Sequence, residues 1–258
     1  MVPPVQASES VSVVICTYTP ARWDSLRAAV ESVERQMYAA AEVVLVIDHH
    51  AGLWERATEA FPEAIVVENR YAQGLSGARN SGIEASRGGI VAFLDDDAMA
   101  DEDWLASLVS CYASPEVLGA GGSATPVWLG VKPGWFPDEF GWVVGCTYRG
   151  QPEQTAPVRN LLGCNMSFRR EVFDAVGGFE NGLGRVGEVP VGCEETELCI
   201  RARNHWPSGV ILYEPAARVY HRVPASRGTW GYFSSRCYAE GKSKALVTQL
   251  VGQQSGLA

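Results

Sequence analysis

Three carboxylates, Asp95-Asp96-Asp97, stand at the end of an apolar run, Ile90-Val91-Ala92-Phe93-Leu94. A run of this length reads as a buried strand. Three acids at its end cannot stay buried and charged together, because mutual repulsion and desolvation raise their pKa values until some take up protons. A divalent cation removes the conflict. Hard carboxylate oxygens suit Mg²⁺ or Mn²⁺, which usually bind through one or two carboxylates plus substrate phosphates. The same residues also fit a solvated acidic turn after a strand, so the surrounding elements have to decide.

Those elements alternate. Residues 11–16, 43–47, 64–67 and 90–94 are apolar, β-rich runs. Between them lie helical stretches: one opened by Pro20 and running to about Met37, with Leu26, Ala29, Val30 and Val33 on one face, then 53–60, then 74–86, stopped by Gly88-Gly89. Strands alternating with helices imply βαβ units, a mostly parallel sheet and right-handed crossovers. Nearly continuous apolar strands fit a sheet covered on both faces. Ligands of such sheets bind beyond the carboxyl ends of the strands. Thr17, Tyr18, Asp48, Asn69 and the three aspartates all follow strand ends, so one site can gather them.

After residue 113 the alternation breaks down. Residues 117–122 read as another strand. Residues 123–150 are rich in aromatics and turn formers, among them Trp128, Trp135 and Trp142, forming either a core-capping region or a surface that stacks on a sugar ring or apolar acceptor. Residues 229–250 read as a helix with Trp230, Phe233, Cys237 and Tyr238 on one side and Arg236, Lys242 and Lys244 on or near the other. That pattern fits an ordinary amphipathic helix or a basic edge facing an anionic ligand. No internal repeat interrupts the chain, so one compact unit is expected, with halves at 10–113 and 114–258.

At 258 residues, 47% apolar and 20% charged, the chain has the composition of a soluble globular protein with a substantial core. A net charge of −9 argues against nucleic acid as a bulk partner. It leaves room for a phosphorylated substrate, since a metal supplies positive charge locally. No apolar stretch approaches the ~18–20 residues that span a bilayer, and Met1 to Ser10 has neither the basic nor the apolar part of a signal peptide. The seven cysteines are scattered without a CxxC, so zinc knuckles and dithiol redox motifs are unsupported. They read as small buried hydrophobes in a reducing compartment, the cytoplasm by default.

In order along the chain, these segments resemble the family 2 glycosyltransferases, inverting enzymes of the GT-A fold that use nucleotide sugars. VSVVICTYTP (11–20) is similar to that family's opening strand and Thr-Tyr turn, and VLVID (44–48) to its second strand, which ends in an aspartate that reads the nucleobase. NRYAQGLSGARNSG (69–82) is similar to its asparagine, glycine and Ala-Arg-Asn stretch, and FLDDD (93–97) to its DxD element. GCNMSFRREVFDAVGGF (163–179) resembles the acceptor-side segment, EETELCIR (194–201) the helix carrying the catalytic base, and PAARVYH (215–221) the strand ending in a metal-binding histidine. The resemblance covers about residues 10–222. It implies a single Rossmann-like, mostly parallel sheet flanked by helices, with a smaller acceptor-side mixed region. It also implies a metal-dependent, inverting, hexosyltransferase-type enzyme with Mn²⁺ or Mg²⁺ as cofactor. Its partners would be a UDP-, GDP- or dTDP-linked sugar and a hydroxyl-bearing acceptor.

By that resemblance Asp97, Asp95 and His221 form the metal group. Asp95 alternatively meets the ribose hydroxyls, while Asp96 faces away or supports from behind. Thr17, Tyr18, Asp48, Asn69, Gly74, Arg79, Asp95 and Asp96 make the donor-nucleotide side, and Trp128, Trp135, Trp142 and Asn165 the acceptor side. The family's Glu-Asp pair is Glu194-Glu195 here, which puts the base at Glu195, one methylene longer, with Glu194 as the alternative. Neighbours on a helix point ~100° apart, so only one faces the acceptor; either also suits the helix dipole. Glu197 is expected to be structural. His49-His50 follow Asp48 where the family commonly has a small or acidic residue and then Gly-Ser, which leaves the nucleotide open to a histidine that stacks on the base or hydrogen-bonds to it; adjacent side chains diverge on an extended segment, which disfavours a second metal site there. Arg79 either salt-bridges to the aspartates or approaches the diphosphate. Gly74 and Gly77 permit close helix–strand packing, and no GxxxxGK[ST] loop occurs. The glycines at 177, 178, 182, 184 and 187 suggest a loop that orders over a donor or a plain turn-rich connection.

Three rival readings remain. A nucleotidyltransferase would carry an early glycine-rich basic loop, which the turn Thr17-Tyr18-Thr19-Pro20 lacks. An aspartyl-phosphate phosphatase would place its nucleophile after the first strand rather than the fourth. A sugar-nucleotide-binding module without catalysis would have no need of the base.

Overall fold

The computed structural model describes residues 9–185 and 192–252. Gly187 of the glycine-rich segment and the first eight residues lie outside the described residues. The strands β1 (Val11–Thr17), β2 (Glu42–Ile47), β3 (Ile65–Glu68) and β4 (Ile90–Asp95) alternate with the helices α1 (Trp23–Glu34), α2 (Ala51–Ala60) and α3 (Leu75–Ala85). The helix expected from Pro20 starts at Trp23, because Pro20–Arg22 forms a 3-10 turn capped by Thr19. These strands pair in parallel in the order β3-β2-β1-β4.

The chain continues through β5 (Ala98–Ala100), α4 (Trp104–Cys111), β6 (Val117–Trp128), β7 (Ala156–Pro157), β8 (Asn165–Arg169), α5 (Arg170–Val176), α6 (Glu194–His205), β9 (Val210–Val223) and α7 (Trp230–Val251). The sheet runs on as β4-β8-β6-β9-β5, so it crosses the middle of the chain without a break. β8 is antiparallel to both neighbours, β6 and β9 are parallel, and β5 runs antiparallel to β9.

Successive residues of β1 feed two cores, as expected of a sheet covered on both faces. Val11, Val13 and Ile15 pack with Leu26 and Val30 of α1, Leu53 of α2 and Trp104 of α4. Val14 packs on the other face with Ile83 of α3, Phe173 of α5 and Leu198 of α6. β6 runs past the expected end at Gly122 because it re-pairs with β9 after a register break between Gly122 and Ala124. A Cβ on Gly122 would stand 1.8 Å from the Ala217 carbonyl oxygen, so the strands can approach this closely only at glycine.

Phe136, Val143, Val144, Cys146 and Val223 form a small core of their own, closed by Trp128, Phe140, Trp142, Tyr232 and Phe233. α7 docks on it through Phe233, and on Leu183, Cys193 and Ile200 through Val247. The buried side of α7 therefore differs from the expected one: Trp230 and Tyr238 are exposed, while Ser243 and Val247 are buried. All seven cysteines are free. Among the described residues no helix is long and apolar enough to cross a membrane.

Candidate active site

A cleft of about 370 Å³ opens at the carboxyl ends of β1 and β4. Thr17, Tyr18, Asp48, Arg79 and the three aspartates line it from one side; Trp142, Glu194, Glu195 and His221 line it from the other. Asp95 ends β4, and the chain turns at once into β5. The register Ala98↔His221 and a hydrogen bond from Arg222 N–H to the Asp97 carbonyl at 2.8 Å bring β9 alongside. The ligand atoms of Asp95, Asp97 and His221 consequently lie within 4.8 Å of one another.

His221 Nε2 is 3.2 Å from Asp97 Oδ1, yet that buried oxygen receives no hydrogen bond among the described residues. Such an oxygen, facing an imidazole and a second carboxylate, is one that a bound cation would satisfy. Two carboxylates and an imidazole are a donor set that would fit a divalent ion such as Mn²⁺ or Mg²⁺. Burial by itself would raise the Asp97 pKa, but His221, Arg22 and Arg227 overcome it and hold Asp97 well below the usual carboxylate range. Burial likewise opposes a charged His221, and the Asp97 carboxylate reverses this, raising the imidazole pKa. Cys146 Sγ lies 3.6 Å from Nδ1 on the far side of the ring.

Asp96 turns beneath this cluster. Thr17 Oγ1 and Arg22 each donate to it at 2.7 Å, and burial, opposed by Arg22, pushes its pKa up to about 6. Arg22 also reaches Asp97 at 3.3 Å and lies over the Tyr18 ring. Thr17 and Asp96 thus fix each other in the cleft wall.

Asp48 is aimed from behind. Asn69 Nδ2 donates to one of its oxygens at 2.6 Å and the Gly74 N–H to the other at 3.0 Å. Gly74 has φ 139°, which glycine adopts without strain. Asn69 and Gly74 do not themselves line the cleft. The Gly77 expectation changes too: a Cβ there would meet the Ala72 carbonyl at 2.5 Å, so this glycine admits the 69–74 turn rather than a strand. The two histidines diverge. His49 Nε2 meets the Tyr71 carbonyl at 2.9 Å, whereas His50 Nδ1 accepts from the Leu53 N–H and caps α2.

The acidic pair is resolved by Arg79. This buried guanidinium donates to Glu194 Oε1 at 2.7 Å and to the Gly163 carbonyl at 2.9 Å, and stands 3.4 Å from Asp95. Of the two roles open to Arg79, an ion pair with one of the aspartates, Asp95, is present, together with a partner the sequence did not reveal. Glu194 is therefore pinned to α3. Glu195 lines the cleft, half-buried, with a hydrogen bond from Thr196 Oγ1 at 3.2 Å. Burial and the Glu194 charge, opposed by Arg79, push the Glu195 pKa up to about 8. Arg79 thus holds one of two neighbouring acids in an ion pair and leaves the other with its pKa raised toward neutrality, an arrangement that divides roles between them. Glu197 forms a two-point ion pair with Arg201, which also donates to the Val176 and Gly178 carbonyls.

The acceptor-side candidates separate. Trp142 lines the cleft; Trp128 lines a neighbouring cavity and packs edge-on against Phe136. Trp135 lies outside both, its ring centroid 5.3 Å from that of Trp230. Asn165 does not reach the cleft. It is fully buried on β8, where it donates to the Ser123 and Ala217 carbonyls and accepts from Trp104 Nε1, stapling the central strands together. The basic residues of α7, weighed as an edge toward an anionic ligand, do reach the cleft at Arg236 and Lys244. Arg22, Arg227 and Tyr232 also line it, and no sequence pattern marked them.

The model of the family described as Glycosyl transferase family 2 matches residues 12–177. Glucosyl-dolichyl phosphate glucuronosyltransferase of Haloferax volcanii is 38% identical over 249 residues, 95% of this chain and 79% of that protein. Succinoglycan biosynthesis protein ExoM of Rhizobium meliloti is 26% identical over 243 residues, 90% of this chain and 73% of that one. The crystal structure of GalNAc-T7 with UDP, GalNAc and Mn²⁺ superposes with a TM-score of 0.66 at 19% identity, over 96% of this chain and 54% of its own. Mannosyltransferase PcManGT from Pyrobaculum calidifontis, in complex with GDP-Man and Mn²⁺, gives 0.64 at 19% identity, over 95% and 65%. The chain spans between half and two thirds of those two structures, which establish its fold as GT-A: a curled, mostly parallel sheet flanked by helices. With the family match across most of the sheet and 38% identity along nearly its whole length, the chain belongs to glycosyl transferase family 2.

Proposed function

We propose that this protein is an inverting glycosyltransferase acting by metal-assisted single displacement. Glu195 takes the proton of an acceptor hydroxyl; that oxygen bonds to the anomeric carbon as the bond to the nucleoside diphosphate breaks. Asp95, Asp97 and His221 would hold Mn²⁺ or Mg²⁺, whose charge offsets that of the departing diphosphate. Asp48, aimed by Asn69 and Gly74, faces the nucleobase of a UDP-, GDP- or dTDP-sugar, and Trp142 offers a stacking face to the acceptor. The observation that carries this reading is the Arg79–Glu194 ion pair, which leaves Glu195 as the unpinned acid of the cleft. A base with a pKa near the working pH is an effective proton acceptor.

The archaeal relative is named for transfer to glucosyl-dolichyl phosphate. An acceptor of that class, a sugar on a lipid phosphate, is the one we favour, and Arg236 and Lys244 supply cations where its phosphate would lie. Seven free cysteines accord with a cytoplasmic setting.

The test is calorimetric titration of UDP-, GDP- and dTDP-sugars with and without Mn²⁺, followed by transfer assays. One nucleotide class should bind in a Mn²⁺-dependent way. Glu195→Gln should keep donor binding and lose transfer, while Asp97→Ala loses the Mn²⁺ dependence. Near-normal turnover in both variants would sink the assignment.

A further inference from the structure

We propose that the surface formed by residues 129–135 and the exposed side of α7 docks on an anionic lipid bilayer. Nine large apolar side chains are exposed among the described residues, and seven of them lie in these two segments. Val131 is 93% exposed and Trp230 66%. Scattered exposed apolar residues need no explanation, but a contiguous patch marks an interaction surface. The two segments are continuous: the Trp135 and Trp230 rings meet edge to face at 5.3 Å, and Trp230 stacks on Phe233 at the same distance. Phe136 and Phe140 support Phe233 from below. The indoles are therefore held outward on a packed aromatic base, and their amphipathic rings suit the boundary between headgroups and acyl chains.

Charge selects the partner. The chain carries a net charge of −9, so most of its surface is repelled by an anionic membrane. Its only three lysines are Lys132, Lys242 and Lys244, all in these segments. α7 carries three basic residues, Arg236, Lys242 and Lys244, against a single acid, Glu240, which pairs with Arg236 and Lys244. Lys132 is balanced by Asp138, so the cationic excess comes from α7. Lys242 is exposed beside the patch, 5.8 Å from the centre of the Tyr238 ring. Aromatic anchors with nearby lysines match an anionic lipid surface, whereas a second copy of this acidic chain has no such complement.

The surface adjoins the cleft, since Tyr232 and Arg236 of α7 and Trp142 beside Phe140 line it. Docking would set the cleft mouth at headgroup depth, where a lipid-phosphate sugar presents its hydroxyl. That purpose rests on the acceptor proposed above, whereas the docking itself is measured without donor or acceptor.

The experiment is cosedimentation and tryptophan emission with vesicles of phosphatidylcholine alone and with about a third phosphatidylglycerol. Binding and a blue shift are expected only with phosphatidylglycerol, and both should weaken with salt. Lys242→Gln should lower partitioning about fivefold. The pair Val131→Ser and Trp230→Ser, both at exposed positions, should lower it at least tenfold and remove the blue shift, with Mn²⁺-dependent nucleotide binding unchanged. Absence of binding to anionic vesicles, or binding unaltered in the double variant, overturns the proposal. So does a dimer, seen by light scattering, that the same double variant abolishes. Vesicle binding without nucleotide binding would sink the donor reading and leave this one standing.

Discussion

Glu194 and Glu195 are chemically identical neighbours, and the residue that tells them apart, Arg79, lies 115 positions away from Glu194. Both line the cleft, and the ~100° between helical neighbours does not say which of them is free to meet an acceptor. With Arg79 on Glu194, Glu195 carries the raised pKa, and two consequences follow. As a base it must be deprotonated, so kcat/KM should climb with pH through about 8 and then level off; a profile flat from pH 6 to 9 would exclude Glu195 as the base. For stability the sign is the opposite. A carboxyl whose folded pKa exceeds its unfolded one binds protons more tightly when folded, so its contribution is full below the unfolded value of 4.5 and is lost as pH rises through about 8. Glu195→Gln should therefore leave Tm near wild type at pH 4.5 and raise it by at least a few degrees at pH 9, while transfer is lost. Arg79→Met removes the partner of a buried carboxylate and should cost about 3–5 kcal/mol in a denaturant titration. A variant as stable as wild type would mean that the Arg79–Glu194 pair does not support the fold.

At the scale of elements, the first four strands are legible because apolar β-rich runs alternate with helical ones. The second half is less so, since its strands pair across long sequence separations that local pattern does not encode. β5 is three residues long and has no signature of its own, yet its register with β9 carries His221 to Asp97. Asn165 shows the same limit at one position: its amide suits an acceptor site as well as a buried staple, and only the placement of β8 between β4 and β6 decides. The His221 placement also depends on the register break at Gly122. Gly122→Ala would drive a methyl against the Ala217 backbone, four residues before His221, so β9 must shift. The expected result is a stability loss of about 1–3 kcal/mol together with weaker Mn²⁺ binding. Wild-type Mn²⁺ affinity in a destabilised variant would show that the break supports the sheet but does not position the histidine.

At the scale of the whole molecule, the candidate metal group joins residues from both halves of the sequence. Asp95 and Asp97 come from the first, His221 from the second, and the sheet between them is unbroken. A cation there should stabilise the entire sheet, so unfolding should be one transition whose Tm rises with Mg²⁺ or Mn²⁺; at a concentration of 100 times Kd the gain is ~2.7 kcal/mol. The pH dependence makes the test specific. Without metal, the Asp97–His221 pair raises the histidine pKa and lowers that of the aspartate. The stabilisation from a raised histidine is complete below its unfolded pKa of 6.5 and fades as pH rises through the folded value, while that from Asp97 is lost only in acid. Metal ligation requires neutral imidazole, so the ion must displace the proton that Asp97 helps to hold, and its affinity should rise with pH. The two trends run in opposite directions. Between pH 6 and 9 the Tm of the metal-free protein should fall while the increment from Mg²⁺ grows, and Asp97→Ala should abolish the increment at every pH. An increment independent of pH would mean that the ion does not bind through His221, leaving the paired aspartates as its only protein ligands.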